Sequence, residues 1–277
     1  MSTPQVSVCI PSYNIEKYID KTIESVLSQT YEDFELVIVD DNSNDKTLDV
    51  IKRYNDDRIR LIINQVNLGP QENWNKALKE AKGRYIKILC HDDILYTSCL
   101  QSQVEVLQNP RNTRVTIVCS GRDIIDASGR KILKRHFPRQ RGVLLGKDAI
   151  KKIVRYGANP IGEPTAVLFR SEILNKIGYF CGSIPYIIDL DYWCRILLYG
   201  NLYVIPESLC AFRFFSKAWS TKIGYLQISH FIQFIDKLNK DNRYELKQLD
   251  CNLGRLRAIL NGIARNLFYI FFLKAHS

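Results

Sequence analysis

VIVDDNSNDKT, residues 37–47, decides how the rest of this chain is read. Three apolar residues run into two adjacent acids, Asp40 and Asp41, and then into a polar stretch suited to a turn. The pattern returns at residues 91–93, where an apolar run leads into His91-Asp92-Asp93. One such pair has a plain explanation, because Asp and Asn make turns and cap helices. Two pairs that end two strands of one sheet point to a shared crevice.

Working outward, residues 6–10, 34–39, 58–63, 85–89 and 115–120 read as strands, and 15–28, 45–54, 70–81 and 95–107 as helices. Ile15, Ile19, Ile23, Val26 and Leu27 give the first helix an apolar stripe. Pro70 suits a first helical turn. Strand and helix alternate with short connections, which predicts an α/β fold with a mostly parallel sheet flanked by helices. Ligands of such sheets bind beyond the C-terminal ends of the strands. Pro11-Ser12-Tyr13-Asn14, Asp40-Asp41 and His91-Asp92-Asp93 all end strands, so all three are expected to face one crevice.

After residue 120 the alternation breaks down. Residues 126–147 are polar and basic and read as a loop or hairpin. A helix at 147–156, a turn at 157–164, a strand-like run at 165–169, a helix from 171 and a loop through 185 follow. A helix at 190–199 and short strands at 202–205 and 208–212, around Pro206, complete a unit expected to span 1–222. Residues 175–190 and 214–222 are candidate lids. The remainder, 223–277, reads as a tail with helices at 225–239 and 253–273. Leu253, Leu256, Leu260, Ile263 and Leu267 form one stripe there, and LFYIFFL (267–273) is apolar all round. A helix lying on a membrane surface fits this pattern, as does one docked on the core or on another subunit.

The 277 residues, 46% of them apolar, suffice for a large core. The net charge of +10 favours anionic partners. Eight scattered cysteines with no CxxC pair, and only four histidines, argue for reduced core thiols rather than a disulfide framework or a zinc site. MSTPQVSVCI has no basic flank followed by a long apolar stretch, so no signal peptide is expected. No run approaches the ~20 apolar residues that span a bilayer. GxGxxG, GxxxxGK[ST], zinc-finger and RNP-like stretches are absent, which argues against ordinary dinucleotide, P-loop and nucleic-acid readings.

Neighbouring carboxylates raise each other's pKa unless a cation lies between them. Mg²⁺ and Mn²⁺ favour carboxylates together with phosphate oxygens. A metal–diphosphate complex is therefore the natural ligand for Asp92 and Asp93, while Asp41 could accept a hydrogen bond from a nucleobase N–H.

VSVCIPSYNIEKYIDKTIESVLSQTYEDFELVIVDDNSNDKT and NLGPQENWNKALKEAKGRYIKILCHDD resemble the inverting GT-A glycosyltransferases of family 2, which build bacterial polysaccharides. The resemblance is strong over 5–120, weaker to about 220 and absent beyond. It implies a GT-A, Rossmann-like fold and transfer of a sugar from a UDP- or dTDP-type nucleotide diphosphate sugar. The implied acceptor is a hydroxyl of a glycan or of a lipid-diphosphate-linked glycan, with Mn²⁺ or Mg²⁺ as cofactor. By position, Pro11 and Tyr13 resemble the opening loop beside the nucleotide, and Asp41 the acid on the base N3–H, with Asp40 supporting that corner. Asn67 and Gly69 resemble the segment closing over the nucleotide, with Asn73 and Lys76 on the helix that follows. Asp92 stands by the diphosphate, and Asp93 resembles the acid that reaches the metal most directly, with His91 in place of the first acid of Asp-x-Asp.

On the acceptor side, IIDLDYWCRILLYG carries Asp191, which resembles the catalytic base, followed by Tyr192 and Trp193. The usual neighbouring Glu is Leu190 here, and Asp189, one position earlier, reads as a helix N-cap or a further sugar contact. Glu163, in GEPTAVLFR, resembles a residue touching acceptor or donor sugar. AFRFFSKAWS supplies Arg213, with Phe214 and Phe215 where the family often has a His; Arg213 and Lys217 could compensate at the diphosphate. The resemblance, the basic charge and the apolar tail together imply a cytoplasmic location, peripheral on the inner face of the inner membrane. Rival readings are a non-catalytic nucleotide-binding partner in polysaccharide assembly and a nucleotidyltransferase; PSYNIEKY is unlike the latter's Gly-rich basic first loop.

Overall fold

The first strand, β1 (Val6–Ser12), is buried along its whole length near the middle of a ten-stranded mixed sheet. The computed structural model describes residues 3–214 and 226–275, with side chains through residue 267. β2 (Phe34–Asp40) and β3 (Ile59–Ile63) continue the sheet in parallel on one side of β1, and β4 (Tyr85–Ile88) pairs in parallel on the other. The links are α1 (Ile19–Leu27), α2 (Thr47–Ile51) and α3 (Pro70–Glu80). Ser12 pairs with Asp40, so Tyr13 and Asp41 leave the sheet side by side. The Leu89 amide donates to the Cys9 carbonyl at 2.9 Å, which brings the end of β4 to the same edge.

The second half departs from simple alternation. β5 (Ile94–Leu95) and α4 (Cys99–Gln108) lead to β6 (Val115–Ile125), an eleven-residue strand buried throughout. β6 does not lie against β4. β9 (Val167–Arg170) runs antiparallel between them. β10 (Asn201–Arg213) is parallel to β6, and β5 pairs antiparallel with its far end. β7 (Lys131–Arg135) and β8 (Gly142–Leu144) add antiparallel pairings to β6 and β10. Thus β3, β2, β1, β4, β6 and β10 share one direction, which gives the mostly parallel sheet expected from the sequence.

Several boundaries move, each for a local reason. α1 starts at Ile19 rather than 15, because Asn14 takes a left-handed backbone (φ 46°) and the Ile15 amide is used by the Thr47 hydroxyl at 2.8 Å. α4 starts at Cys99 because Ile94 and Leu95 pair with Ala211 and Cys210. The two strands expected around Pro206 are one strand, β10, whose register slips near Pro206. A bulge lets the ladder skip the residue that has no N–H. The polar 126–147 stretch forms a hairpin from β6 into β7, then β8.

Helices α5 (Gly146–Tyr156), α6 (Leu174–Ile177) and α7 (Ile188–Leu197) precede the tail helices α8 (Leu226–Lys240) and α9 (Gln248–Ala275). One face of the sheet packs on α3, α5, α7 and α8, and the other on α1, α2 and α4. The tail docks firmly. Arg255 pairs with Asp236 at 2.7 Å and Arg155 with Asp250 at 2.5 Å. Gly157, in the left-handed region at φ 67°, lets α9 approach so closely that a Cβ there would meet the Ala258 amide at 2.5 Å. Among the described residues no helix is long and apolar enough to cross a membrane. Of the tail stripe, Leu253 is half-buried, while Leu256, Leu260, Ile263 and Leu267 are exposed along with Leu249. The side chains of 268–273 lie outside the described residues.

Candidate active site

At the edge where β1, β2 and β4 end, a cleft of about 260 Å³ opens. Pro11 lines it from the end of β1, Tyr13 from the loop that follows, Asp41 from the loop after β2 and His91 from the turn after β4; Asn67, Gly69 and Trp74 add to the wall. Its polar corner is built around Asp41. The Asp41 carboxylate accepts from the Leu68 amide at 2.8 Å, the Gly69 amide at 2.9 Å and the Asn64 side chain at 2.7 Å. Asn67 donates to the Asp41 carbonyl at 3.2 Å. Asp41 therefore ties down the loop in which Gly69, at φ 82°, opens α3. Asn73 carries the tie inward by donating to the Ser12 and Val39 carbonyls at 3.3 and 3.1 Å. Lys76 joins the corner through Asn64 at 2.6 Å. Asp40 faces elsewhere: its oxygens accept from Ser12, from the Ser43 hydroxyl and from the Ser43 amide, which shapes the turn after β2.

The turn after β4 carries the acids. Asp93 is fully buried and accepts from the Thr165 hydroxyl and, at 2.9 Å, from the Arg213 amide. Burial, and then the Asp92 charge beside it, push its carboxyl well above the usual carboxylate range. Asp92 is half-buried, and its carboxylate takes no hydrogen bond from another residue among those described. Burial raises its pKa, and the nearby His91 and Arg213 pull it partly back. The buried Nδ1 of His91 also lacks a partner among the described residues. Arg213, expected near the sugar or diphosphate, is a buried clamp. Its guanidinium donates to the carbonyls of Asp92 (2.8 Å) and Asp126 (3.1 Å) and lies over Tyr18. Phe214 is buried too, while Phe215 and Lys217 lie outside the described residues, as does most of the candidate lid at 214–222.

No group of three or more His, Cys, Asp or Glu side chains among the described residues is placed to enclose a metal ion. The chemistry of the donor set nevertheless fits one mode of metal binding. Mg²⁺ and Mn²⁺ in nucleotide sites need only one or two protein carboxylates, with phosphate oxygens and water supplying the rest. Asp92 offers an open carboxylate, and the burial that raises both Asp92 and Asp93, with the Asp92 charge adding to it at Asp93, marks a place where a cation would favour the charged forms.

On the acceptor side, two acids of one helix separate. Asp191 is buried and ion-paired twice, with Lys237 of α8 at 2.6 Å and Arg195 of α7 at 3.1 Å. Asp189 has no ion pair among the described residues. It accepts from the Asn159 side chain at 3.0 Å and from the Leu190 amide at 2.7 Å. Burial and the nearby Glu163 charge raise its pKa to about 7. Glu163 is ion-paired with Arg122 of β6. Tyr192 and Trp193, expected as sugar contacts, are fully buried instead. The Tyr192 ring stacks on Phe180 at 4.0 Å, and Trp193 packs beside Phe169 and Phe180. They hold α7 against the sheet. The 175–190 segment is anchored as well: Asn75 exchanges hydrogen bonds with the Phe180 amide and carbonyl, and Gln71 takes the Gly182 amide.

Arg122, Asn159 and Thr165 went unread in the sequence. Each reaches the site from β6, or from the loops before β9, because β9 inserts beside β4; no local pattern reports that insertion. Trp74 was equally silent, since an aromatic at helical spacing reads as core.

Against known proteins, the sequence profile described as Glycosyl transferase family 2 matches residues 7–178. An uncharacterized protein of Mycobacterium tuberculosis is 31% identical over 79% of this chain and 70% of its own length. An uncharacterized glycosyltransferase of Methanocaldococcus jannaschii is 35% identical over 77% and 72%. Among solved structures, S. aureus TarS 1-349 in complex with UDP-GlcNAc superposes with a TM-score of 0.68 at 21% identity, covering 90% of this chain and 70% of that one. The mannosyltransferase from Pyrobaculum calidifontis in complex with GDP-Man and Mn²⁺ gives 0.66 at 18%, covering 100% and 77%. At such identities the structures establish the shared architecture, the GT-A fold.

Proposed function

This chain belongs to glycosyl transferase family 2 and is a glycosyltransferase; from that premise we propose an inverting transfer of sugar from a UDP- or dTDP-type donor to a hydroxyl of a glycan or lipid-linked acceptor. The cleft of Pro11, Tyr13, Asp41, Asn67 and Gly69 takes the nucleoside, with Trp74 as a further wall. A hydroxyl of the sugar nucleotide supplies the missing partner of His91 Nδ1. Asp92 presents the open carboxylate to Mn²⁺ or Mg²⁺ and the diphosphate, with Asp93 behind it. When bound, the divalent ion neutralises charge on the departing diphosphate.

The base role expected of Asp191 is assigned to Asp189. A general base works best with a pKa near the operating pH and freedom to take a proton. Asp189 meets both conditions, whereas both carboxylate oxygens of Asp191 are engaged in ion pairs, with Lys237 and Arg195. Asp189 removes the acceptor hydroxyl proton, and the resulting oxygen nucleophile displaces the diphosphate from the opposite face of the sugar. Asn159 orients the Asp189 carboxylate, and the Arg122–Glu163 pair sits beside it. Asp191 is a positioning residue that fixes α7 to α8.

In this proposal residues 1–222 catalyse, and the helical tail 223–277 brings the protein to the cytoplasmic face of an anionic membrane through the exposed leucine stripe of α9. The observation that carries the reading is the Asp189 carboxylate, which has no ion pair among the described residues and whose pKa is raised to about 7, in a chain whose sheet edge also opens the cleft lined by Tyr13 and Asp41. Incubation with UDP- and dTDP-sugars, Mn²⁺ and a lipid extract tests it. Product of inverted anomeric configuration supports it, and retained configuration removes the single-displacement mechanism.

A further inference from the structure

A second hollow, of about 200 Å³, lies between the β7–β8 connection, the end of α5 and α9. Phe137, Pro138 and Pro160 give it an apolar floor, and Tyr156 a wall. Lys152, Arg155 and Arg257 form its rim, and no carboxylate lines it. The three cations are not equivalent. Arg155 is neutralised by buried Asp250. Lys152 meets only the neutral Gln140 side chain at 3.0 Å, and Arg257 only the Arg155 carbonyl at 3.1 Å. Neither has an acidic partner among the described residues. Two charges thus remain over a hydrophobic floor. That combination fits a phosphate ester whose sugar or polyol lies on the proline and aromatic surface.

The hollow is joined to the chemistry by one short loop. Pro160 of its floor follows Asn159, whose side chain holds Asp189 at 3.0 Å, and Tyr156 ends the helix that leads into that loop. We infer that this hollow is an acceptor subsite that binds a phosphate group carried by the acceptor, away from the hydroxyl that reacts. The inference rests on the proposed acceptor role of the Asp189 side. It predicts a phosphate-bearing acceptor, whether a phosphoglycan or a lipid-linked diphosphate, over a neutral oligosaccharide.

The test is ³¹P NMR line broadening of glycerol 3-phosphate and of hexyl diphosphate by the full chain, with the donor cleft saturated by UDP. The expected result is broadening by the wild type that falls at least fivefold in the double variant Lys152→Gln/Arg257→Gln and by an intermediate amount in Lys152→Gln alone. Broadening by hexyl diphosphate alone assigns the phosphate to a lipid-linked acceptor, and broadening by the glycerol ester to a phosphoglycan. UDP affinity should stay within twofold. Both side chains are exposed, so melting temperatures should be unchanged. Equal broadening by wild type and variants, or none by the wild type, overturns the subsite. So does tenfold tighter binding of inorganic phosphate, which would assign the hollow to the free ion. Charge-dependent binding seen only with phosphatidylglycerol vesicles also overturns it, in favour of a membrane contact. Failure of UDP to bind any of the proteins would strike the donor cleft instead and leave the phosphate comparison readable.

Discussion

Asp189 and Asp191 stand two residues apart at the start of α7 and occupy opposite electrostatic environments. Asp191 is clamped between Lys237 and Arg195, while Asp189 accepts from neutral donors and feels the repulsion of Glu163, partly offset by Arg122. Two residues along a helix turn a side chain by about 200°. One acid therefore faces the loop that carries Asn159, and the other faces α8.

Substitution separates the two roles. Asp189→Asn should lower transfer by about 10²- to 10⁴-fold with UDP affinity within twofold. Asp191→Asn should retain measurable transfer but lose about 2–4 kcal/mol of stability, because Lys237 and Arg195 are left beside an uncharged partner. Steady-state kinetics and urea melts distinguish them. Full activity in Asp189→Asn with none in Asp191→Asn would return the base to the later acid.

The pH dependence follows from the raised pKa of about 7 at Asp189. The rate should rise about tenfold per pH unit below 7 and level off above, as the carboxylate becomes able to accept a proton. The stability effect has the opposite sense. A carboxyl whose folded pKa exceeds its unfolded value binds more protons in the native state. It stabilises below the unfolded pKa near 4, and that contribution fades as pH rises through 7. Asp189→Asn, fixed in the neutral form, should therefore gain melting temperature relative to wild type at pH 8 but not at pH 4. An equal change at both pH values would show that Asp189 titrates normally.

Asp92 and Asp93 should differ in kind. Asp92→Asn should weaken Mn²⁺-dependent UDP binding at least tenfold and leave the melting temperature nearly unchanged. Asp93→Ala should cost about 2–4 kcal/mol, since the Thr165 hydroxyl and Arg213 amide lose their buried acceptor. Calorimetric titration with and without Mn²⁺, paired with thermal melts, reads both. Identical behaviour of the two variants would mean that the pair acts as one unit.

Asp41→Ala should release the 66–69 loop by removing the acceptor of two backbone amides and of Asn64. Hydrogen exchange of the Leu68 and Gly69 amides should accelerate at least tenfold, with weaker UDP binding. Unchanged exchange would show that the loop is held by other contacts.

Leu256→Ser/Leu260→Ser should shift the protein from anionic vesicles to the supernatant without lowering its melting temperature, since both leucines are exposed on α9. Unchanged sedimentation with vesicles would remove the α9 stripe from membrane contact.

Much of the fold was legible because its first half obeys local rules. Apolar runs ending in polar turns, spaced by amphipathic helices, report β1 to β4 and α1 to α3 wherever a segment's own neighbours decide its state. The convergence of Tyr13, Asp41 and His91 followed from that alternation alone, because parallel strands place their C-terminal ends on one edge. The site's second half was less legible. Tyr192 and Trp193 look like ligands in sequence and are core in space, and Arg213 looks like an anion binder and is a carbonyl clamp.

The sequence by itself determined the parallel half of the sheet, the cleft at its edge and the family, because periodicity and motif spacing are local properties of the chain. Only the tertiary structure decided which carboxylates are ion-paired and which are not. That depends on cations, amides and hydroxyls delivered from elements far away in sequence: Lys237 from α8 to Asp191, Asn159 from the loop after α5 to Asp189, and Thr165 from the turn before β9 to Asp93. A carboxyl group's protonation is set by what surrounds it in space, and those surroundings come into being only when the chain closes.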